Sequence, residues 1–576
     1  MLTTPWGEAL DEAHILPEYP RPQLRRDSYL NLNGRWEYAI TEDDVQPQTY
    51  DGSILVPFSP ESALSGVGRT LMPGQTLWYR RQLTLPDGFL PQGWRLLLHF
   101  GAVDQEAVVL LNGKEAGRHM GGYNAFVVEL TALLRETNTL VVRVHDDTDA
   151  SFHSRGKQSS RRGGIWYTPQ SGIWQTVWLE AVPSRHIRSL RITPLFDESA
   201  VEITVAAPSG LHCEAVVDGR TVPFSSGEPT RIPLPDFRAW SPEDPFLYDL
   251  TVTMGEDRVQ SYFGMRKTEV RADHAGVKRL FLNGEPYFHN GLLDQGYWPD
   301  GLYTAPSDQA MIHDIQTAKQ LGFNMLRKHI KVEPMRWYYH CDRLGMLVWQ
   351  DMPSGGGRYR FSTVTLPLVT GLHRCDNRYR SFARASAQGR VEYMEELAEM
   401  ATQLYNTPSI VLWTPFNEGW GQFDSTQVCK MLSSLDATRL IDPASGWHDQ
   451  GAGDLKSLHV YFKPYRFRRD RKGRAVILSE FGGYNLRMDG HCFSQSDFGY
   501  KKFQSAEALW QAYLRLFERE VLPAIPRGLC ATVYTQLTDV EDELNGLLTY
   551  DRRAVKLDAE ALRRLNARVY EAAPKW

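Results

Sequence analysis

Short apolar runs separated by turns fill the first third of the chain. Arg95-Leu96-Leu97-Leu98-His99-Phe100, Ala107-Val108-Val109-Leu110-Leu111 and Thr139-Leu140-Val141-Val142-Arg143-Val144 have the length and β-branched content of strands. Asn112-Gly113 follows one of them as a hairpin signal. Such strands at short spacing, without helical periods between them, predict a β-sandwich ending near Thr176-Val177-Trp178-Leu179-Glu180. Residues 184–275 continue in the same style, from Arg191-Ile192-Thr193 and Val201-Glu202-Ile203-Thr204-Val205 to Leu250-Thr251-Val252-Thr253. That length suits a second, immunoglobulin-like sandwich.

After about residue 276 the period changes. Met311, Ile312, Ile315, Ala318 and Leu321 fall at helical spacing, and Phe323 to Arg327 follows as a strand. Trp337 to Leu344 and Val391 to Tyr405 read as helices, with Met346 to Trp349 and Ile410 to Trp413 as the strands after them. Alternation of this kind over some 300 residues predicts a (β/α)8 barrel, which carries its chemistry at the C-terminal ends of its strands. The expected division is 1–183, a jelly-roll-like sandwich; 184–275, the immunoglobulin-like sandwich; and 276–576, the barrel. Residues 352–389 form a long Gly- and Arg-rich insertion, a length typical of functional or disordered loops.

Two glutamates end apolar strands in the barrel. Glu418 lies in Thr414-Pro415-Phe416-Asn417-Glu418-Gly419-Trp420, after Ser409 to Trp413, and Glu480 ends Val476-Ile477-Leu478-Ser479-Glu480. Such a pair is what glycoside hydrolysis requires: one carboxyl protonates the leaving oxygen, and the other attacks the anomeric carbon or activates water. Phe416 and Trp420 can desolvate Glu418 and keep it protonated, and Asn417 can bond a substrate hydroxyl. The competing structural readings are a helix cap for Asn417-Glu418 and a simple barrel ion pair for Glu480.

Composition narrows the alternatives. The 576 residues carry a net charge of -5, which gives no footprint for nucleic acid. The basic run from Arg466 to Arg474 reads as a solvated loop. No apolar stretch approaches a membrane span of ~20 residues, and the N-terminus has no basic-then-apolar leader. The six cysteines form no Cys-x-x-Cys pair. These features lead us to expect a cytoplasmic protein with reduced thiols.

The chain resembles glycoside hydrolase family 2, which includes β-galactosidases, β-glucuronidases and β-mannosidases. The resemblance runs along nearly the whole chain: Leu30-Asn31-Leu32-Asn33-Gly34-Arg35-Trp36, Trp78-Tyr79-Arg80-Arg81, Gly121-Gly122-Tyr123, Ser171-Gly172-Ile173-Trp174, Trp240-Ser241-Pro242-Glu243 and Phe281-Leu282-Asn283-Gly284-Glu285-Pro286. It implies a retaining mechanism with Glu418 as acid/base and Glu480 as nucleophile, and an Arg327 that orients the nucleophile. It favours Tyr461 at the site, with His459 on the same face of the sixth strand. Asp294 and Trp298, after the first strand, are candidates to bind hydroxyls and stack on the sugar, or to pack their loop. Asp351, in Trp349-Gln350-Asp351, is a candidate for substrate contact or for support.

Departures from the family pattern bear on the substrate. The usual Arg-x-x-His-Tyr-Pro continuation reads Arg327-Lys328-His329-Ile330-Lys331-Val332, leaving His329 as a sugar contact or a core histidine. β-Glucuronidases carry Asn-x-Lys before a Gly-x-x-Thr-x-Asp-Arg string; here Glu543-Leu544-Asn545 precedes Gly546 to Arg552, and an acidic Glu543 would repel a uronate. The eighth strand has Tyr534 as the nearest substitute for the family's Trp beneath the sugar. Gly291 to Gln295 lacks the histidines of a metal site, so neither metal nor cofactor is expected. The expected activity is a retaining exo-β-glycosidase on a neutral terminal sugar, β-galactosidase-like first, then galactofuranosidase or arabinosidase, then β-mannosidase, with glucuronidase disfavoured. A carbohydrate is the expected partner, and a homodimer suits the flanking sandwiches. A noncatalytic carbohydrate-binding protein is the alternative of a different class, and a transglycosylating enzyme would share every residue named.

Overall fold

The structure, a computed structural model, describes residues 2–574. Its first unit packs a four-stranded sheet (Tyr29–Asn31, Val177–Val182, Arg95–Phe100, Phe126–Glu129) on a six-stranded one that runs from Gly52–Val56 through Gly34–Thr41, Thr76–Leu83, Asn138–His145 and Glu106–Leu111 to Lys114–Met120. Alternation decides which side chains enter the core. Leu140, Val142 and Val144 of Asn138–His145 point inward with Leu96, Leu98 and Phe100 around Trp36 and Tyr79. The second unit pairs Ser189–Leu195, Ala200–Ala206 and Thr230–Pro233 in one sheet, and places Arg220–Ser225, His212–Val217, Tyr248–Met254 and Asp257–Phe263 in the other. Buried Arg26 ties the two sandwiches together, donating to Asp257 and to Glu180, each at 2.9 Å.

The remaining chain is a barrel of eight parallel strands: β1 His289–Asp294, β2 Met325–Lys328, β3 Leu347–Asp351, β4 Ile410–Thr414, β5 Leu440–Ile441, β6 Leu455–Val460, β7 Ala475–Gly482 and β8 Leu529–Thr535. All of β3, β4, β7 and β8 is buried, as expected of strands covered on both faces. The ladder runs 5-4-3-2-1-8-7-6, and β5 and β6 share no pairing among the described residues. Helices α1 Asp308–Gln320, α2 Met335–Leu344, α3 Ala387–Gln403 and α4 Ser425–Leu435 follow the first four strands; α5 Ala506–Leu516 and α6 Ala559–Glu571 follow β7 and β8. Ser307, Ser386, Ser505 and Asp558 cap α1, α3, α5 and α6 by accepting from the backbone N–H three residues on. Leu280 and Leu282, from a short hairpin ahead of β1, close the bottom of the barrel against Leu293, Met325, Leu347 and Val533.

The 352–389 insertion is folded. It holds short helices at Phe361–Val364 and Leu366–Thr370, and its buried Arg384 donates to Gly421 O at 2.9 Å and to Phe152 O at 3.1 Å. One guanidinium thus ties the insertion to the loop after β4 and to the first sandwich. Among the described residues no helix is long and apolar enough to cross a membrane.

Candidate active site

Glu480 is the third residue from the end of β7, so strand geometry fixes its backbone. Glu418 lies four residues past β4, and its backbone N–H bonds to Ser445 O at 2.8 Å. Its φ is +52°, a left-handed conformation uncommon in non-glycine residues and often found where function demands it. Helix α4 begins only at Ser425, so Asn417-Glu418 are not its cap.

The two carboxyl groups converge. An oxygen of Glu418, an oxygen of Glu480 and a nitrogen of His459 all lie within 4.8 Å of one another. His459 Nδ1 is 2.7 Å from Glu418 Oε1 and 3.5 Å from Glu480 Oε2, and Nε2 is 2.9 Å from Ser445 Oγ. This is the one grouping with metal-like donors among the described residues. Its 2.7 Å nitrogen–oxygen separation is a hydrogen bond, shorter than the spacing of two ligands about 2.0–2.2 Å from a shared ion at tetrahedral angles.

Arg327 organises the floor. Wholly buried, it donates to Glu480 Oε1 at 3.1 Å, to Asn417 Oδ1 at 2.9 Å and to both oxygens of Asp351 at 3.0 Å. Tyr461, just past β6, donates to Glu480 Oε2 at 2.5 Å and stacks on Tyr500 with ring centroids 3.8 Å apart. The buried Nδ2 of Asn417 has no partner, leaving a donor at the site for a ligand.

These surroundings drive the two carboxyls apart. Burial pushes Glu418 above the ordinary range, with Glu480's charge adding to it against the hydrogen bond from His459. Burial acts on Glu480 in the same sense, but His459, Arg327, His329 and the Tyr461 hydroxyl outweigh it and hold Glu480 down at about 2. One group is pushed toward holding a proton and the other toward staying ionised, the direction of division that acid and nucleophile need.

The structure brings Glu418, Glu480, Asn417, Arg327, Tyr461 and His459 to one point and places other candidates elsewhere. Asp294 is buried behind the strands, where it accepts from Lys328 Nζ at 2.7 Å and from Gly296 N at 2.9 Å. Its neighbour on β2 alternates away from Arg327, which carries Asp294 out of the cleft. Trp298 packs against Trp6 and beneath the Arg552 guanidinium, 4.1 Å from the ring, so it is a packing residue and not a sugar platform. Tyr534 also faces outward, against Tyr513 of α5 and Phe481; the residue of β8 on the cleft side is Thr535, whose hydroxyl is 3.0 Å from Tyr461's. Asp351 spends both oxygens on Arg327 and on His329 Nδ1 at 2.9 Å, leaving it a support. His329, pushed down to about 4 by burial, is part of that support and has its ring centroid 6.2 Å from Trp420's.

Several cleft residues escaped the sequence reading because they come from distant loops. Trp166 and Lys157 reach in from the first sandwich, Tyr359 from the insertion and Tyr500 from the loop after β7. Trp166, Tyr359 and Trp420 form an aromatic cluster with centroids 5.4–6.1 Å apart. Only the Gly163-Gly164-Ile165-Trp166-Tyr167 string, with its adjacent aromatics, marks this loop in the sequence.

Two family models match the chain. Residues 197–266 match "Glycosyl hydrolases family 2" and residues 278–472 match "Glycosyl hydrolases family 2, TIM barrel domain". A β-galactosidase of Thermoanaerobacter pseudethanolicus is 23% identical over 393 residues, covering 63% of this chain and 47% of its own. A β-glucuronidase of Canis lupus familiaris is 23% identical over 469 residues, covering 72% and 66%. The chain thus spans about half to two thirds of the length of these curated relatives. The solved β-D-glucuronidase of Dictyoglomus thermophilum superposes with a TM-score of 0.74 at 17% identity, covering 97% of this chain and 99% of that one. At that identity the likeness is one of fold.

Proposed function

Because the chain belongs to glycosyl hydrolases family 2, we propose that it is a retaining exo-β-glycosidase acting on a neutral terminal sugar. The observation that carries the retaining mechanism is the approach of an oxygen of Glu418 and an oxygen of Glu480 to within 4.8 Å of each other. Retaining pairs stand about 5–5.5 Å apart, whereas inverting pairs need about 6.5–9.5 Å to seat a water. Glu480 attacks the anomeric carbon while Glu418 gives its proton to the glycosidic oxygen, and the aglycone leaves as the alcohol. Glu418, now ionised, takes a proton from water, the water oxygen attacks the same carbon, and Glu480 is released. Asn417 Nδ2 is placed to bond the hydroxyl next to the reacting carbon. A noncatalytic binding protein would have no use for carboxyls driven in opposite directions.

The relatives' names span β-galactosidases and β-glucuronidases, so the sugar is argued from this site. Glu543 and Asn545 stand where a uronate reader would carry Asn and Lys, which supports a neutral sugar and, first, a β-galactoside. Thr535 on the cleft side of β8 and the Tyr461–Tyr500 stack make a floor unlike the family's Trp, which supports a galactofuranoside or arabinoside as the second reading; a β-mannoside is the third. The test is a panel of p-nitrophenyl galactopyranoside, galactofuranoside, arabinosides, mannoside, glucoside and glucuronide against wild type, Glu418→Ala and Glu480→Ala. Cleavage of one neutral glycoside, lost in Glu480→Ala, supports the proposal. Preference for the glucuronide overturns the neutral-sugar reading, and unchanged turnover in Glu480→Ala overturns the mechanism.

A further inference from the structure

We infer that Lys157 and Glu543 form a pair that reads one hydroxyl of the terminal sugar, the lysine being delivered to the barrel's site by the first sandwich. The inference rests on the neutral-sugar reading above and adds the residues that select for it.

The two groups face each other across a gap. Lys157 Nζ is 3.9 Å from Glu543 Oε2, too far for a hydrogen bond, and the side chains are only 6% and 2% exposed. Lys157 Nζ donates no hydrogen bond to any described residue. Glu543 is held from its other sides: Asn545 donates to Oε1 at 3.0 Å, and the Tyr167 hydroxyl donates to Oε2. A carboxylate oxygen has capacity beyond one donor. A hydroxyl oxygen seated about 2.8 Å from both groups would accept from the ammonium and donate to the carboxylate. Buried charges lacking a direct hydrogen bond are costly, and that arrangement rewards a ligand that completes it.

The gap adjoins the reacting centre. Lys157 Nζ lies 6.0 Å from the Trp420 ring centroid, two residues past Glu418, and 5.4 Å from that of Tyr167. Its charge acts on both Glu418 and His329. The loop that presents it is fixed on several sides. Gly156 N donates to the Tyr123 hydroxyl at 2.7 Å, Tyr167 N to Lys157 O at 2.9 Å, Gln158 Nε2 to Asp104 at 3.1 Å, and Arg155 to Gly356 O in the insertion. The lysine is therefore positioned before a substrate arrives, which lowers the ordering cost of using it. The pair carries no net charge. A hydroxyl satisfies both members by accepting from one and donating to the other, whereas a uronate carboxylate could accept from Lys157 but has no proton to give Glu543.

The test is a double-mutant cycle between enzyme and substrate. Wild type, Lys157→Met, Lys157→Arg and Glu543→Gln are assayed on the p-nitrophenyl glycoside that wild type cleaves and on its monodeoxy analogues, with melting temperatures recorded for each protein. A hydrogen bond to a charged group makes Lys157→Met about 10- to 100-fold worse in kcat/KM on the parent glycoside. One deoxy analogue should be similarly poor with wild type and lose little more in Lys157→Met, while the other analogues lose the full factor. Lys157→Arg should recover part of the loss. An equal loss on the parent and every analogue, or no loss at all, overturns the inference while leaving the neutral-sugar reading intact. If wild type cleaves only a glucuronide or galacturonide, the neutral-sugar reading falls, and the hydroxyl pairing falls with it.

Discussion

His459 Nδ1 lies 2.7 Å from Oε1 of Glu418, the residue assigned as acid, and the same nitrogen is 3.5 Å from Glu480. Both its hydrogen bond to Glu418 and its charge toward Glu480 favour the ionised carboxylates. Replacing it with alanine removes a lowering influence from each, so both pKa values rise. The acid limb of the kcat/KM profile, set by ionisation of Glu480, and the alkaline limb, set by loss of the Glu418 proton, should therefore both move to higher pH. A pH–rate series on His459→Ala checks this; movement of one limb alone would break the shared-histidine account.

Glu418→Ala should separate substrates by their leaving group. General acid assistance is worth about 10²–10⁴-fold, so an aglycone with a poor leaving oxygen should lose that factor, and a dinitrophenyl glycoside much less in the first step. Added azide, which needs no base, should restore turnover and yield a glycosyl azide. Comparing steady-state rates across leaving groups, with and without azide, reads both effects.

Asp351 gives both its oxygens to two nitrogens of the Arg327 guanidinium and one of them also to His329. Asp351→Asn should therefore lower kcat while leaving KM nearly unchanged, by about 10²-fold if Arg327 and Glu480 shift by about 1 Å. It should also move the acid limb upward, since Arg327 lowers Glu480's pKa. Steady-state kinetics across pH separate this from a sugar contact, which would raise KM.

The two glutamates and Asn417 were legible because a parallel barrel puts strand termini at its mouth, so position in the chain gives position in space; Arg327 was legible only through the family resemblance. Asp294, Trp298 and Tyr534 were misplaced by one step of alternation or by a loop's direction. Asp294 pairs with Lys328 behind the sheet, and Thr535 rather than Tyr534 turns inward. Lys157, Trp166, Tyr359 and Tyr500 sit on loops far apart in sequence, and no local pattern encodes where such loops dock. The insertion's order was equally hidden, because it depends on Arg384 reaching carbonyls in two other segments.

Lys328 anchors the cluster that absorbs Asp294, donating to it at 2.7 Å and to Glu333 at 2.8 Å, all three being buried. Lys328→Met leaves Asp294 without its cation, while Glu333 keeps Lys331 at 2.9 Å, and should cost about 3–5 kcal/mol of stability. Because the cluster lies behind the strands, protein that remains folded should keep its activity. Thermal melts paired with active-site titration test both halves.

The anomeric configuration of the first-formed sugar tests the central claim most directly. Proton NMR during cleavage of a p-nitrophenyl β-glycoside, recorded before mutarotation, should show the β-anomer appearing first, as the proximity of Glu418 and Glu480 requires. The α-anomer appearing first would mean that water attacks directly, and the assignment of Glu480 as a covalent nucleophile would be wrong.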